Sequence, residues 1–494
     1  MKWLKNIFSK PEPWISEEER LQVIEKSSKQ VSRGVFFATV IIITSFLPVF
    51  MLTGQEGKMF HPVAFTKTFI MIVDALLVIT LAPVLISFFM KGKFRPDNAN
   101  PVNRFLERLY TPVIKGVLKW RKTTLAINIL ALLISIPLLR SLGTEFMPPL
   151  DEQSILFMPV TLPDISNGEA KRILQVQDKI IKSVPEVDKV LGKAGRASTA
   201  TDNSPISMIE TIIMLKPKSE WREGITKTDI INELDQKLQI PGVVNGWTQP
   251  IINRINMLST GIRTDVGVKV YGQNLDTIAS VSERVKSALE GTAGIADLYV
   301  EPITGGKYLT IDVKRGELSR YGLNVDDVNQ TVEAALGGAT IGTTIEGRQR
   351  FSISTRLAQE YRNSVESIRR IPLQSPAFGE VPLSAVADVR FEDGPPMINS
   401  ESALLRGAVL FNVRDRDLGS TVEEAIQKIN GQRGILPEGY FLEWSGQYEN
   451  LIRGQQTLMW IAPIVLVIIF FSLYFAFHSI REAFLSLITI PFAL

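Results

Sequence analysis

The sequence contains no cysteine and only two histidines, His61 and His478, among its 494 residues. Without cysteine there can be no disulfide framework, no thiolate metal site and no cysteine nucleophile. Two histidines are too few for an imidazole-rich zinc site. Charged residues make up only 21% of the chain and the net charge is +3. This balance is not typical of a protein that binds nucleic acid.

Signatures of nucleotide binding and hydrolysis are also missing from the sequence. The segment GQEGK lacks the spacing of a phosphate-binding loop, and neither HExxH nor GxSxG occurs. The acidic pair Asp415 and Asp417 lacks further oxygen ligands, so it indicates a solvated turn rather than a calcium loop. We therefore predict that the protein is not an enzyme and has no tightly bound cofactor.

Apolar residues make up 45% of the chain and are concentrated in a few runs that are long enough to cross a bilayer. The N-terminus has no apolar signal-peptide core. A chain that stops early in an apolar run is expected to be a fragment. The predicted spans are residues 35–53, 68–90, 123–141 and 457–477, with the start of a truncated span at 483–494.

The loop charges predict the orientation of these spans. The segment Lys91–Lys122 contains nine Lys and Arg residues and two acidic residues, so we expect it on the cytoplasmic side. Its helical spacing of apolar residues indicates an amphipathic helix that lies along the inner membrane surface. Residues 1–34 are then cytoplasmic, a turn with the sequence GQEGKMFHP lies outside, and residues 142–452 form a large periplasmic or extracellular domain.

This external domain alternates helices and strands. A helix, a short turn and a strand follow one another at 167–195, 275–302 and 421–446, which suggests ferredoxin-like βαβ subdomains. A further helix is predicted at 324–338, and the Pro- and Gly-rich strands of 342–399 indicate a separate lobe. The predicted fold class is an α-helical membrane bundle with an α+β periplasmic domain.

Several long motifs resemble one known family. They are GQEGKMFHPVAFTKT, EFMPPLDE, INRINMLSTGIRTDVGVKVYG, RYGLNVDDV and WSGQYENL. They are similar to the heavy-metal branch of the RND efflux pumps, with the CusA-like copper/silver exporters nearest and the CzcA-like branch next. This resemblance implies a proton-driven, homotrimeric pump of the bacterial inner membrane that docks a periplasmic adaptor and an outer-membrane channel. It also implies that about half of the pump is present, and that the known proton-relay acid precedes Met1.

Methionine is the only soft ligand that the sequence offers for Cu(I) or Ag(I). The resemblance places Met208 and Met257, the latter in a loop-like segment, in the periplasmic cleft, although either could instead be a core methionine. A third methionine is expected, but VEPITGGKY, where we would look for it, offers only Thr304. Met214 is a possible substitute.

A divalent ion in the cleft and a second metal position within the membrane both remain open. A divalent-cation exporter would need carboxylates or histidines, for which Glu210 and Asp265 are the candidates. In the second predicted span, Met71 matches a position of the methionine relay in the CusA-like pumps, whereas the later relay position is Ile86.

Asp74 is an ionisable residue in the same span, where such residues often belong to a proton or ion path. It could alternatively pair with Lys67. The resemblance also makes Gly337 and Gly338 candidates for a hinge of the helix that opens the cleft, although a glycine pair can simply end a helix.

Three classes of function remain: a metal exporter, a membrane-anchored binding or scaffold module, and a multidrug or lipid exporter. Clefts of drug pumps are expected to be rich in aromatic side chains. The candidate cleft segments 204–216 and 250–266 contain no Phe, Tyr or Trp, which disfavours the third class.

Overall fold

The computed structural model describes residues 16–89, 101–146, 151–195 and 204–490. Its helices are α1 Glu17–Ser45, α2 Leu47–Phe50, α3 Gly54–Phe89, α4 Pro101–Lys119, α5 Arg121–Ser141, α6 Asn167–Lys182, α7 Lys227–Lys237, α8 Pro250–Thr260, α9 Leu275–Leu289, α10 Arg315–Arg320, α11 Val325–Val332, α12 Val365–Arg369, α13 Leu418–Gly431, α14 Gln447–Phe477 and α15 Ile480–Ile488. Its strands are β1 Ser154–Phe157, β2 Val187–Lys193, β3 Glu210–Leu215, β4 Trp247–Thr248, β5 Val266–Gly272, β6 Ile295–Val300, β7 Gly306–Val313, β8 Ala339–Glu346, β9 Gln349–Thr355, β10 Pro372–Ser375, β11 Gly379–Pro382, β12 Ala387–Gly394, β13 Asn399–Glu401, β14 Leu404–Val413 and β15 Phe441–Gly446.

Four helical segments in the described part of the chain are long and apolar enough to cross a membrane. They are Glu17–Phe50, Glu56–Phe89, Arg121–Leu139 and Gln447–Phe477. The helix α1 packs against both α3 and α14. The predicted span 457–477 lies within α14, whereas the span predicted at 35–53 starts in α1 and runs past α2, which ends at Phe50. The helix α1 begins well before this span, at a capping box in which Ser16 and Glu19 each accept the other's backbone N–H. Residues 1–15, 90–100 and 491–494, where some of the predicted boundaries fall, lie outside the described residues.

The prediction of a turn at GQEGKMFHP is wrong, because these residues form the first turns of α3. The glycine and the proline suggested a turn, but Gly54 stands at the helix start with a φ of +67° and Pro62 is accommodated inside the helix. Glu56 also ties this end of α3 to α14. Its side chain is only 6% exposed and lies 3.4 Å from Arg453. A tertiary ion pair therefore holds residues that look loop-like in the sequence.

The α+β domain contains two sheets in which the four main strands have the same topology. In the first sheet the strand order is β2-β3-β1-β4, and in the second it is β6-β14-β5-β15, with the short strand β13 also paired to β14 as a fifth strand. All neighbouring strands are antiparallel. The apolar faces of α6 and α7 pack on the first sheet, where the rings of Phe157 and Trp247 stack at 4.3 Å. The helices α9 and α13 cover the second sheet in the same way. The three predicted helix–strand units are all observed.

A lobe is inserted between β6 and β14. The sequence predicts that this lobe begins at residue 342, but it begins at β7, because β7 pairs with β12 along its whole length. Its core is formed by apolar residues of α10, α11, β10 and β12. The helix α11 continues into a π turn, Glu333–Gly337, and ends at Gly338, whose φ is +99°. The β8–β9 ribbon extends from this lobe with most of its side chains exposed.

Candidate metal site

A cavity of about 90 Å³ is lined by three methionines from three distant parts of the chain. Met208 precedes β3, Met257 lies on α8, and Met397 lies between β12 and β13. We call this space the methionine cavity. Its lining residues are Pro205, Met208, Met257, Gly261, Ile262, Arg263, Tyr299, Glu301, Pro302, Met397, Asn399, Arg406 and Leu410.

Met208 is held against the second sheet. It forms an isolated β-bridge with Val160 and packs on a small apolar cluster that includes Tyr299 and Leu410. The strand β3 begins only after Met208, and its outer face carries the candidates Glu210 and Met214. Neither of them lines the methionine cavity. Met214 is 45% exposed, and the carboxylate of Glu210 lies 2.6 Å from Lys193.

Met257 lies in the last turn of α8, so the prediction of a loop at this point is wrong. The carboxylate of Glu152 accepts the N–H groups of Ile251 and Ile252 at 2.8 and 3.0 Å and thereby satisfies the first turn of the helix. Gly261, with a φ of +75°, ends the helix by donating its N–H to the Met257 carbonyl at 3.1 Å. The small residues around Met257 thus belong to a helix end that is fixed from a distant segment.

Met397 is the residue that the sequence reasoning missed. The segment expected to supply a third sulfur, VEPITGGKY, contributes Glu301 and Pro302 to the methionine cavity but not Thr304. Met397 follows the pair Pro395–Pro396, which separates β12 from β13. In the sequence, the available signal for Met397 is a methionine directly after two prolines, where no helical or strand periodicity would explain it as a core residue. The structure shows that this side chain is half-buried.

Charged groups surround the three sulfurs. The pKa of Glu301 is raised by desolvation, an effect that Arg406 and Arg263 oppose. The Arg406 guanidinium lies 3.5 Å from the Glu301 carboxylate. The Arg263 guanidinium points to the sulfur of Met208. The methionine cavity therefore offers soft neutral donors, a single carboxylate and two guanidinium groups.

This donor set suits a soft ion better than a divalent one. Thioether sulfur favours Cu(I) and Ag(I), whereas zinc, cobalt and nickel sites use imidazole and carboxylate ligands. Among the described residues, no group of three or more His, Asp or Glu side chains is placed to hold a metal ion. The site therefore gives no support to a divalent ion.

Asp265, the other carboxylate candidate, lies outside the methionine cavity and joins three elements. Its carboxylate accepts the Gln447 side-chain N–H at 2.8 Å and the backbone N–H of Val413 at 3.3 Å. Desolvation, together with the negative charges of Asp297 and Glu145, raises its pKa to about 6. Asp265 thus links the start of β5 to β14 and to the start of α14. It does not contribute a ligand to the methionine cavity.

The candidates within the membrane helices remain separate from this cavity. Met71 is half-buried and Asp74 is exposed on α3. The Lys67 ammonium lies 4.2 Å from the centre of the Phe46 ring, and the ion pairs of the described residues include none between Lys67 and Asp74. Ile86 lines an apolar cavity of about 360 Å³ between α1 and α3.

The glycine pair after α11 has two different environments. A Cβ atom on Gly337 would meet no atom within 4 Å, whereas Gly338 has a φ of +99° that disfavours any side chain. Gly338 is therefore required by the backbone at the end of the π turn. The role of the pair as a hinge stays a prediction.

Comparison with known proteins agrees with the fold. The cation efflux system protein CusA of Escherichia coli (strain K12) is 42% identical over 484 residues, which cover 98% of this chain and 46% of that protein. The cobalt-zinc-cadmium resistance protein CzcA of Cupriavidus metallidurans is 32% identical over 488 residues, covering 97% of this chain and 46% of that protein. The chain thus spans about half the length of the curated relatives it matches.

A solved structure and a family profile give the same result. The X-ray crystal structure of a heavy metal efflux pump, crystal form I, matches with a TM-score of 0.81 and 28% identity over 94% of this chain and 46% of that chain. The profile of the AcrB/AcrD/AcrF family matches residues 6–494. The resemblance to the heavy-metal RND pumps is thereby confirmed, and the chain belongs to the AcrB/AcrD/AcrF family.

Proposed function

We propose that this chain gathers Cu(I) or Ag(I) in the methionine cavity as part of a heavy-metal RND exporter. The observation that carries the proposal is that Met208, Met257 and Met397 line one cavity, although up to 140 residues separate neighbouring members of the set. Three thioethers from separate elements are typical of a site for a soft monovalent ion. The protein acts as a transporter and not as an enzyme, and the metal is its cargo.

The alternative is a divalent-cation exporter of the same branch. The 32% identity to a cobalt-zinc-cadmium resistance protein is the observation that supports this alternative. It is disfavoured because Glu210 and Asp265 are engaged elsewhere and Glu301 is the only carboxylate in the methionine cavity. A non-transporting scaffold remains a second alternative, which predicts no metal binding at all.

Metal affinity distinguishes these functions. We expect the full-length protein in nanodiscs to bind Ag(I) and Cu(I) and to leave Zn(II) unbound at the same concentration. Met257→Ile should weaken Ag(I) binding by about tenfold or more, which corresponds to about 1.4 kcal/mol. Isothermal titration with a competing chelator measures both. Binding of Zn(II) without Ag(I) would favour the divalent exporter, and binding of neither ion would favour the scaffold.

The remaining parts of the proposal follow from family membership and the fold. The long apolar helices support a place in the bacterial inner membrane, with the α+β domain in the periplasm. The strand order of the two sheets supports ferredoxin-like subdomains of the split βαβ type. We propose that the whole pump is a homotrimer, uses proton antiport and joins an adaptor and an outer-membrane channel.

Asp74 provides a test within the membrane helices. An ionisable side chain in a span is energetically costly, so such a residue is by default a candidate for a function in transport. Asp74 has no ion pair with Lys67 that would explain it structurally. We expect Asp74→Asn to abolish most silver resistance of cells that rely on this pump, and Asp74→Glu to retain it. The measurement is growth against silver concentration at matched protein levels. Resistance that is unchanged in Asp74→Asn would exclude a role in transport.

A further inference from the structure

Arg263 lies where a bound cation would be expected. It follows the end of α8 by three residues and lines the methionine cavity together with all three methionines. Its Nη1 group donates to the sulfur of Met208. An N–H to thioether contact is a weak hydrogen bond. The sulfur that the proposed site needs for a metal ion is thus covered by a positive group that can leave at little cost.

The two arginines of the methionine cavity are held differently. Arg406 lies 3.5 Å from Glu301 and 3.4 Å from Glu401, so two carboxylates fix it in place. Arg263 has no carboxylate within ion-pair distance among the described residues, and its charge reaches Glu301 only at longer range. Arg263 is therefore the guanidinium that can move without breaking an ion pair.

Resting on the proposed function, we propose that Arg263 is an internal competitor of the transported cation. In the unloaded cavity its guanidinium occupies the cation position at Met208. A soft monovalent ion loads by displacing it, and Glu301 then balances the charge of the ion. Return of Arg263 to Met208 favours release.

This exchange also favours monovalent over divalent ions. One positive charge replaces another, so the net charge of the methionine cavity is unchanged when the ion displaces Arg263. A divalent ion would bring a second positive charge, for which the methionine cavity offers no further carboxylate. Arg263 and Glu301 would thus be residues that determine specificity and release, in addition to the three sulfur ligands.

The test compares Arg263→Gln with two matched variants in the full-length protein. Gln removes the charge but keeps a polar side chain, so we expect about tenfold tighter Ag(I) binding, or about 1.4 kcal/mol. Arg263→Lys keeps the charge and should bind Ag(I) nearly as the wild type does. Arg254→Gln alters an exposed arginine on α8 that does not line the methionine cavity, and it should leave the affinity unchanged.

Transport kinetics supply a readout that a merely structural role would not move. Because release is slowed, Arg263→Gln should lower KM and kcat for Ag(I) export together. Glu301→Gln removes the balancing charge and should weaken Ag(I) binding about tenfold. This variant also keeps the proposal testable if Arg263→Gln fails to fold, which thermal melting would reveal.

The outcomes separate this inference from the proposed function. Unchanged or weaker Ag(I) binding in a folded Arg263→Gln variant, or unchanged binding in Glu301→Gln, would overturn the role of the two residues. The site itself would stand if Met257→Ile still weakened Ag(I) binding about tenfold or more. Wild-type protein that binds no Ag(I), or binding insensitive to Met257→Ile, would overturn the proposed function instead.

Discussion

Replacing Met397 with isoleucine is expected to weaken Ag(I) binding by about tenfold or more, or at least about 1.4 kcal/mol. Isoleucine keeps an apolar side chain of similar volume but removes the sulfur. Met208 and Met257 would remain on the other walls of the methionine cavity. Two thioethers can still bind a soft monovalent ion, so we expect weakened rather than abolished binding. Competition titration of the full-length protein measures the change.

Met214→Ile is the matched control for this variant. It removes the same group from a side chain that is 45% exposed on the outer face of β3 and lies outside the methionine cavity. We expect Ag(I) affinity and silver resistance to be unchanged. Equal effects of Met214→Ile and Met397→Ile would show that the cavity is not the binding site, since a general loss of sulfur would then explain both.

Replacing Asp265 with asparagine is expected to remove a pH dependence of stability. The pKa of Asp265 is raised from 3.8 to about 6 by desolvation and nearby negative charges. The folded state therefore binds this proton more tightly than the unfolded state does. The resulting stabilisation is complete below pH ~3.8 and is lost as the pH rises to about 6, by up to about 3 kcal/mol.

The difference between wild type and Asp265→Asn isolates this group from others with raised pKa values, such as Asp297 and Glu301. Asparagine can still accept the Gln447 N–H, while its amide group faces the backbone N–H of Val413 and loses that hydrogen bond. Thermal unfolding of the full-length protein between pH 4 and 7 should show that the stability of the variant rises relative to that of the wild type as the pH increases. Parallel curves would contradict the raised pKa.

Local patterns in the sequence predicted most of the elements correctly. Four of the five predicted apolar runs coincide with helical segments that are long enough to span a membrane, and the three helix–strand units of the α+β domain are present. These features depend on periodicity, which is written in neighbouring residues. The errors occurred at GQEGKMFHP and around Met257, where glycine, proline and small residues indicated loops. In both places a distant partner, Arg453 or Glu152, stabilises a helix start.

By itself, the sequence determined the chemical type of the site: with no cysteine and two histidines, methionine is the only soft ligand available. It also indicated the family through several long motifs. Which methionines come together was decided only by the tertiary structure. The lobe inserted between β6 and β14 returns the chain to the second sheet, and this places Met397 beside Met208 and Met257. The same packing brings Arg263 to the Met208 sulfur, a contact that sequence spacing does not encode because it depends on how α8 meets the sheet.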